Sequence, residues 1–267
     1  MSEFKTDPTP ISLTTDFGTS DWFIGVMKGV ICSINPNMQL IDITHHISPG
    51  NIQEAAFVLK QAVPWFPKKT IHLAVVDPGV GTSRNGLIIE TENSTFVGPD
   101  NGIFSWALLD TGIVRIIRLN PKNFSDSASH TFHGRDLFAP AAARLSMGEN
   151  ALNLGEATDS LIQLEWPDHV QTQDGIQGQI MHVDRFGNLI TNIPIANIPI
   201  KPKQISLQIS EKTIPITFHS TYDQAATNAL VLIPASTGYF ELAVKGASAA
   251  SKFDWSARQR FELVFGN

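Results

Sequence analysis

Between residue 11 and about residue 160, short apolar runs ending in Gly, Pro, Asp or Asn alternate with segments whose apolar residues recur at helical spacing. That alternation is how an α/β domain reads. The run at 11–15 is followed by Trp22, Phe23, Val26, Met27, Val30, Ile31 and Ile34 on one helical face, which Asn35-Pro36-Asn37 stops. Residues 40–44 read as a strand. Asn51 is placed to cap a helix through Ala55, Val58, Leu59 and Ala62, and Pro64 terminates it. A buried strand at 71–76, a hairpin at 86–90 and 94–97, and a helix at 140–145 follow. The expectation is a mostly parallel central sheet with helices on its faces, over residues 8–165.

After Trp166-Pro167 the texture changes. QTQDGIQGQ is polar and glycine-containing, as a linker or exposed turn would be. Beyond it, alternating runs at 205–209, 214–218, 229–233, 239–244 and 261–265 predict a smaller, antiparallel β domain over residues 176–267. A length of 267 residues agrees with two domains.

Composition narrows the function. With 42% hydrophobic and 16% charged residues the chain can pack a core and is not disordered. A formal charge of -6, with no run of Lys or Arg, argues against nucleic acid as a partner. The start lacks a basic-then-apolar signal, and no stretch approaches about 18 uninterrupted apolar residues, so a cytoplasmic protein away from membranes is expected. The single cysteine, Cys32, sits in VMKGVICSI and reads as a small buried hydrophobe.

Three segments share one design, in which a buried strand ends and an Asp beside Gly or Pro follows: ISLTTDFG with Asp16, HLAVVDPGVG with Asp77, and STFVGPDNG with Asp100. Ligands of open α/β sheets bind beyond the carboxyl ends of the strands, so these carboxylates can converge on one crevice; singly, each also suits a turn or helix cap. GVGTSR resembles a phosphate loop, but Arg84 stands where the third glycine of GxGxxG belongs, and neither a Walker lysine nor a GxSxG elbow occurs. HTFHGRDLFAP sets His130, His133, Arg135 and Asp136 just before a helix, where free N–H groups supply positive potential. A histidine there can equally be structural. His45 and His46 are adjacent in an extended segment and point to opposite faces, so no metal site is assigned. HVDRFGNLITNI carries Asp184, Asn188 and Asn192 around a glycine. Both an Asx turn and an amide reading an adenine edge fit it.

In this order, TTDFGTSDWFIGVMKGV, VVDPGVGTSR, VGPDNGIF, TFHGRDLFAPAAA, DRFGNLITNI and STGYFELAV resemble the S-adenosylmethionine (SAM) hydroxide adenosyltransferases, relatives of the fluorinating and chlorinating enzymes, across nearly the whole chain. The resemblance implies an N-terminal α/β domain, a C-terminal β-barrel-like domain, no cofactor, and a homotrimer that binds SAM between the N-terminal domain of one subunit and the C-terminal domain of the next. It implies a catalytic set of Asp77, Arg84 and His133. Asp16 would hold the ribose hydroxyls, Asp21 would face the methionine amine, and Gly134 would also lie against substrate. From the neighbouring subunit, Asp184 would address methionine and Asn188 adenine, with Ser236, Glu241 and the backbone near Val244 completing the pocket. Two positions depart from the family pattern: Lys245 replaces the usual Asn after ELAV, and Asn51 a frequent Asp in SPGNI.

The implied reaction is hydrolysis of SAM to adenosine and methionine. A sulfonium releases neutral methionine without general-acid help, so the protein need only position and activate a water. A SAM-dependent halogenase and a non-catalytic SAM or adenosine sensor are the alternatives.

Overall fold

The computed structural model describes residues 9–124, 129–198 and 204–266; the expected domain limits at Pro8 and Asn267 lie outside them. The chain divides into two compact units, Met1–Glu165 and Trp166–Asn267. The first runs β1 (Ile11–Thr15), α1 (Phe23–Ile34), β2 (Leu40–Thr44), α2 (Ile52–Ala62), β3 (Ile71–Val75), β4 (Gly86–Thr91), β5 (Thr95–Pro99), β6 (Ile113–Leu119), α3 (Ala139–Ser146) and β7 (Gly155–Ala157). Its seven-stranded sheet has the order β2-β1-β3-β5-β4-β6-β7. The first four strands run parallel, and β4, β6 and β7 join by antiparallel pairing.

Side-chain alternation along the strands divides the core in two. Ile11, Leu13, Leu73 and Val75 point to the face covered by Met27 and Ile31 of α1 and Ala141, Ala142 and Ala143 of α3. Ala74, Val76, Leu87 and Ile89 point to the other face, under Ala55 and Leu59 of α2. Asn51 caps α2 as expected, its side chain accepting from Glu54 N at 3.2 Å while Nδ2 donates to Glu54 Oε2 at 3.1 Å. Helix α1 ends where Asn35 caps Ile31 O. Cys32 is exposed, contrary to expectation: the buried stripe of α1 is Ile24, Met27 and Ile31, and one residue past Ile31 turns about 100° away from it.

The second unit runs β8 (Val170–Gln171), β9 (Gly175–Val183), β10 (Leu189–Pro194), β11 (Gln204–Ile209), β12 (Lys212–Phe218), β13 (Leu230–Pro234), β14 (Tyr239–Val244), α4 (Ala249–Phe253) and β15 (Arg260–Gly266). Strands β10-β14-β13-β12-β11-β15-β9 follow in order, and pairing of β9 with β10 closes them into a seven-stranded barrel with β8 added outside β9. Pairing is antiparallel except for β12 with β13. Of the two readings of the polar stretch, linker or exposed turn, the structure has the turn: the stretch is the β8–β9 hairpin. Its Ile176 and Ile180 are buried, and Gly178 lets two strands meet closely: a Cβ there would lie 2.8 Å from Ile193 Cγ1. Among the described residues, no helix is long and apolar enough to cross a membrane.

Candidate active site

Asp77 follows the carboxyl end of β3, and the loop after it brings Arg84 back onto it. Arg84 Nε donates to Asp77 Oδ1 at 2.9 Å and Oδ2 at 3.0 Å, and Nη2 donates to Oδ2 as well. Both side chains are nearly buried, with 5% of Asp77 and 10% of Arg84 exposed. The guanidinium lies over the Phe138 ring at 5.1 Å, and Nη1 donates to Asn85 O at 3.3 Å.

Arg84 also reaches His133, with Nη2 donating to Nδ1 at 2.8 Å. Arginine has no acceptor, so His133 Nδ1 must be the unprotonated nitrogen and Nε2 carries the hydrogen. Burial, then the Arg84 charge, hold the His133 pKa below its ordinary value, which keeps the ring neutral at pH 7. His133 stands at the entry to a π turn, Gly134–Phe138, that leads into α3. Gly81 brings this segment against the Asp77 loop: at φ +79 it takes a left-handed turn, and a Cβ would lie 2.6 Å from His130 O.

An aromatic cluster unseen in the sequence fixes the surroundings. Phe17, next to Asp16, packs 6.1 Å edge-on from Phe132, next to His133; Phe23 of α1 lies 5.7 Å from the first and 5.2 Å from the second. Asp16, after β1, accepts from Gly50 N at 2.8 Å, and Gly50 abuts Pro78, the neighbour of Asp77. Asp16 therefore joins the cluster's edge. Asp21 is exposed in the turn before α1 and has no hydrogen-bond or ion-pair partner among the described residues. Gly134, the first residue of the π turn, is buried against Met27 and Phe132.

Not every candidate carboxylate converges. Asp100 is buried and accepts from Ile162 N at 2.9 Å, and Asp136 accepts from Ser129 N at 2.8 Å and pairs with Arg135, so both organise local backbone. His45 is buried, near Thr15 Oγ1 at 3.0 Å and Asp42 Oδ1 at 3.1 Å, while His46 is exposed.

In the barrel unit a pocket of about 760 Å³ gathers Asp184, Asn188, Ser236, Glu241 and Val244, with Tyr222 and Lys245 beside them. Asp184 closes the β9–β10 turn, accepting from Phe186 N and Asn188 N, each at 2.9 Å, and from Asn188 Nδ2 at 3.0 Å. The Asx turn read in the sequence is present, and it does a second thing. A carboxylate can only accept, so Asn188 Nδ2 is held toward Asp184 and Oδ1, which bonds to no described residue, is left as an acceptor. Asn188 Nδ2 also donates to Tyr222 Oη at 3.4 Å, and Tyr222 Oη donates to Glu241 Oε1. Burial, then the nearby Asp184 charge, push the Glu241 carboxyl up to about 7. Ser236 is exposed at the rim, and Val244 O accepts from Ala247 N. Asn192, in contrast, is buried and spends its amide on Gln179 N and Pro167 O.

An α/β unit with a neutral His and an Arg-locked carboxylate at its strand ends is followed on the chain by a seven-stranded barrel with a polar pocket, which defines a two-domain α/β-plus-barrel class of protein. The family models for the SAM hydroxide adenosyltransferase N-terminal and C-terminal domains match residues 11–155 and 178–262, and the chain belongs to this family. It is 37% identical to the (R)-S-adenosyl-L-methionine hydrolase of Salinispora tropica, over 97% of this chain and 99% of that one. It is 35% identical to the hydrolase of the same name from Methanocaldococcus jannaschii, over 96% and 95%. A fluorinase from Nocardia brasiliensis is 21% identical over 96% and 97%. A solved structure of an uncharacterized conserved protein from Thermotoga maritima superposes with a TM-score of 0.90 at 33% identity, covering 95% of this chain and 99% of that one.

Proposed function

We propose that this protein hydrolyses SAM to adenosine and methionine, by attack of a water on C5′. The observation that carries the reading is the Asp77–Arg84–His133 set, in which one guanidinium holds a carboxylate and a neutral imidazole side by side. Relatives at 33–37% identity over nearly full length bear the corresponding name and support it.

The roles follow from the hydrogen bonds. Arg84 is largely consumed by Asp77, His133 and Asn85, so it orients its partners more than it binds the nucleophile. His133 offers Nε2–H to the oxygen of the water, and Asp77 Oδ1, which accepts only one donor from Arg84, keeps a lone pair for a proton. Water oxygen bonds to C5′ as the C5′–S bond breaks; sulfur keeps the electron pair and leaves as neutral thioether, and the water proton passes to Asp77. His133 Nδ1 is already occupied, which favours Asp77 as the acceptor.

For binding, Asp16 is assigned to the ribose hydroxyls, Asp21 to the methionine amine, and Gly134 to the wall beside His133. The acceptor Asn188 Oδ1 suits the exocyclic amine of adenine, and Asp184, Ser236, Glu241 and Val244 surround it in one pocket. We assign this pocket to a neighbouring subunit of a cytoplasmic homotrimer. Mixing inactive Asp77→Ala and Asn188→Ala chains tests that assembly. Activity should return on subunit exchange, and exchange without activity would place both halves on one chain. Incubation with SAM tests the reaction itself: adenosine and methionine are expected, and unchanged SAM would point to a sensor.

A further inference from the structure

The loop that carries Asp16 is held from one side by the segment that follows β2. Gly18 N donates to His45 O at 2.7 Å, Ile47 N donates to Thr15 O at 3.4 Å, and Gly50 N donates to Asp16 Oδ2 at 2.8 Å. These donors are backbone groups that almost any sequence supplies. The His45 side chain adds contacts that only this residue type supplies. It is 4% exposed, with Nδ1 3.0 Å from Thr15 Oγ1 and Nε2 3.1 Å from Asp42 Oδ1, and Thr15 is fully buried. A polar ring in such a place is costly unless its nitrogens are met, and here both face a polar oxygen.

We propose that His45 is a positioning residue: through Thr15 it fixes the turn that bears Asp16 and so aims the Asp16 carboxylate. This rests on the assignment of Asp16 to the ribose hydroxyls. The direction of each contact follows from the groups. A carboxylate only accepts, so the hydrogen of a neutral His45 ring belongs on Nε2, facing Asp42, and Nδ1 accepts from the Thr15 hydroxyl. Burial outweighs the Asp42 charge and holds the His45 pKa below its ordinary value, so the ring is neutral at pH 7. With its hydrogen committed to His45, Thr15 Oγ1 presents a lone pair and accepts from Phe17 N at 3.3 Å, a bond that spans Asp16. At the far end Lys28 Nζ donates to Asp42 Oδ2 at 2.7 Å and leaves Oδ1 to His45. The chain of contacts therefore runs from α1 through β2 to the end of β1. Without the imidazole the Thr15 hydroxyl has no fixed direction, the Phe17 amide loses a directed acceptor, and the carboxylate between them is less well aimed. The contact to ligand that suffers is the one to ribose.

The test is calorimetric titration of the full-length protein with adenosine and with 2′,3′-dideoxyadenosine, for wild type, Asp16→Ala, His45→Phe, Thr15→Val, Thr15→Ser and the double variant of His45→Phe with Thr15→Val, each checked for folding by thermal melting. His45→Phe and Thr15→Val should each weaken adenosine binding about fivefold, combine without further loss, and leave binding of the dideoxy ligand within about twofold of wild type. Thr15→Ser keeps the hydroxyl and should bind adenosine as wild type does. Thr15→Val keeps the shape of the side chain, so it carries the test even where His45→Phe does not fold. Equal weakening of both ligands in the folded variants would reduce these contacts to general packing and overturn the proposal. Unchanged adenosine binding by His45→Phe and Thr15→Val, beside an Asp16→Ala that is weakened for adenosine alone, would overturn it too. An Asp16→Ala that affects both ligands equally, or neither, would instead sink the ribose assignment, and the proposal with it.

Discussion

Arg84 Nη2 lies 2.8 Å from His133 Nδ1, so the imidazole is read as an N–H donor at its far nitrogen. The same guanidinium forks onto Asp77, and one residue thereby sets the tautomer of one partner and the orientation of the other. Protonating His133 would require a hydrogen on Nδ1 where Arg84 already donates. Together with burial, this keeps its pKa below the ordinary range.

Asp77→Ala, Arg84→Ala and His133→Ala should therefore lower kcat about a hundredfold or more, with a much smaller effect on SAM affinity. Arg84→Lys should behave like Arg84→Ala, because an ammonium cannot bridge both partners. Activity of the wild type should stay level as pH falls through 6.5 and decline only below it. Steady-state kinetics with separate binding measurements decide this, and equal losses in both would make the three residues binding groups.

Asn188→Ala and Asp16→Ala should act mainly on affinity. Each would leave polar groups of the bound ligand unpaired, at a cost of about 1 to 3 kcal/mol, or roughly fivefold to a hundredfold in Kd. In the Asn188 variant, Asp184 also loses the Nδ2 donor at 3.0 Å, so the turn loosens along with the contact to ligand. Unchanged affinity would remove the residue concerned from the binding surface.

A buried histidine far from this chemistry makes the fold acid-sensitive. His72 on β3 is fully buried, with Nδ1 2.7 Å from Ser12 Oγ, its ring stacked on Phe96 at 5.2 Å, and Nε2 without a hydrogen-bond partner among the described residues. Burial pushes its pKa down to about 4. The unfolded chain then binds a proton that the folded one does not, between its ordinary pKa of 6.5 and about 4. Stability is complete above 6.5 and is lost as pH falls through that window, by roughly 3 kcal/mol in all. Denaturant titrations across the window should show this slope, and His72→Gln should flatten it; an unchanged slope would assign acid sensitivity to other groups.

Much of this was legible in the sequence because the strand-end motifs are local. Asn51 as a cap, the hairpin of β4 and β5, and Asp77 with Arg84 in one loop need only short-range geometry. The parts that were missed depend on tertiary contact. The glycines of β9 look like linker residues until Ile193 is packed against Gly178. Strands β6 and β7 were overlooked because they finish the sheet at its edge, where Ile113 and Val114 are exposed and Arg115 and Arg118 break the apolar signal. Asp100 shares the motif of Asp16 and Asp77, yet is committed to Ile162, a partner 62 residues away that no spacing reveals. Tyr222 was invisible for the same reason, since it meets Asn188 and Glu241 only once the barrel closes.

The central claim is that water, and not halide, attacks C5′. A chloride beside the Asp77 carboxylate would face a second unit negative charge at about 4 Å, a repulsion of roughly 4 kcal/mol at an effective dielectric of 20. Arg84 offsets part of it, but its donors are already directed at Asp77 and His133. Water carries no such charge and can donate to Asp77 while accepting from His133 Nε2–H. The direct measurement is mass spectrometry of the products formed from SAM in isotopically labelled water with excess chloride or fluoride. Label in the 5′-hydroxyl of adenosine is the predicted result, and a 5′-halo-5′-deoxyadenosine as the main product would contradict it.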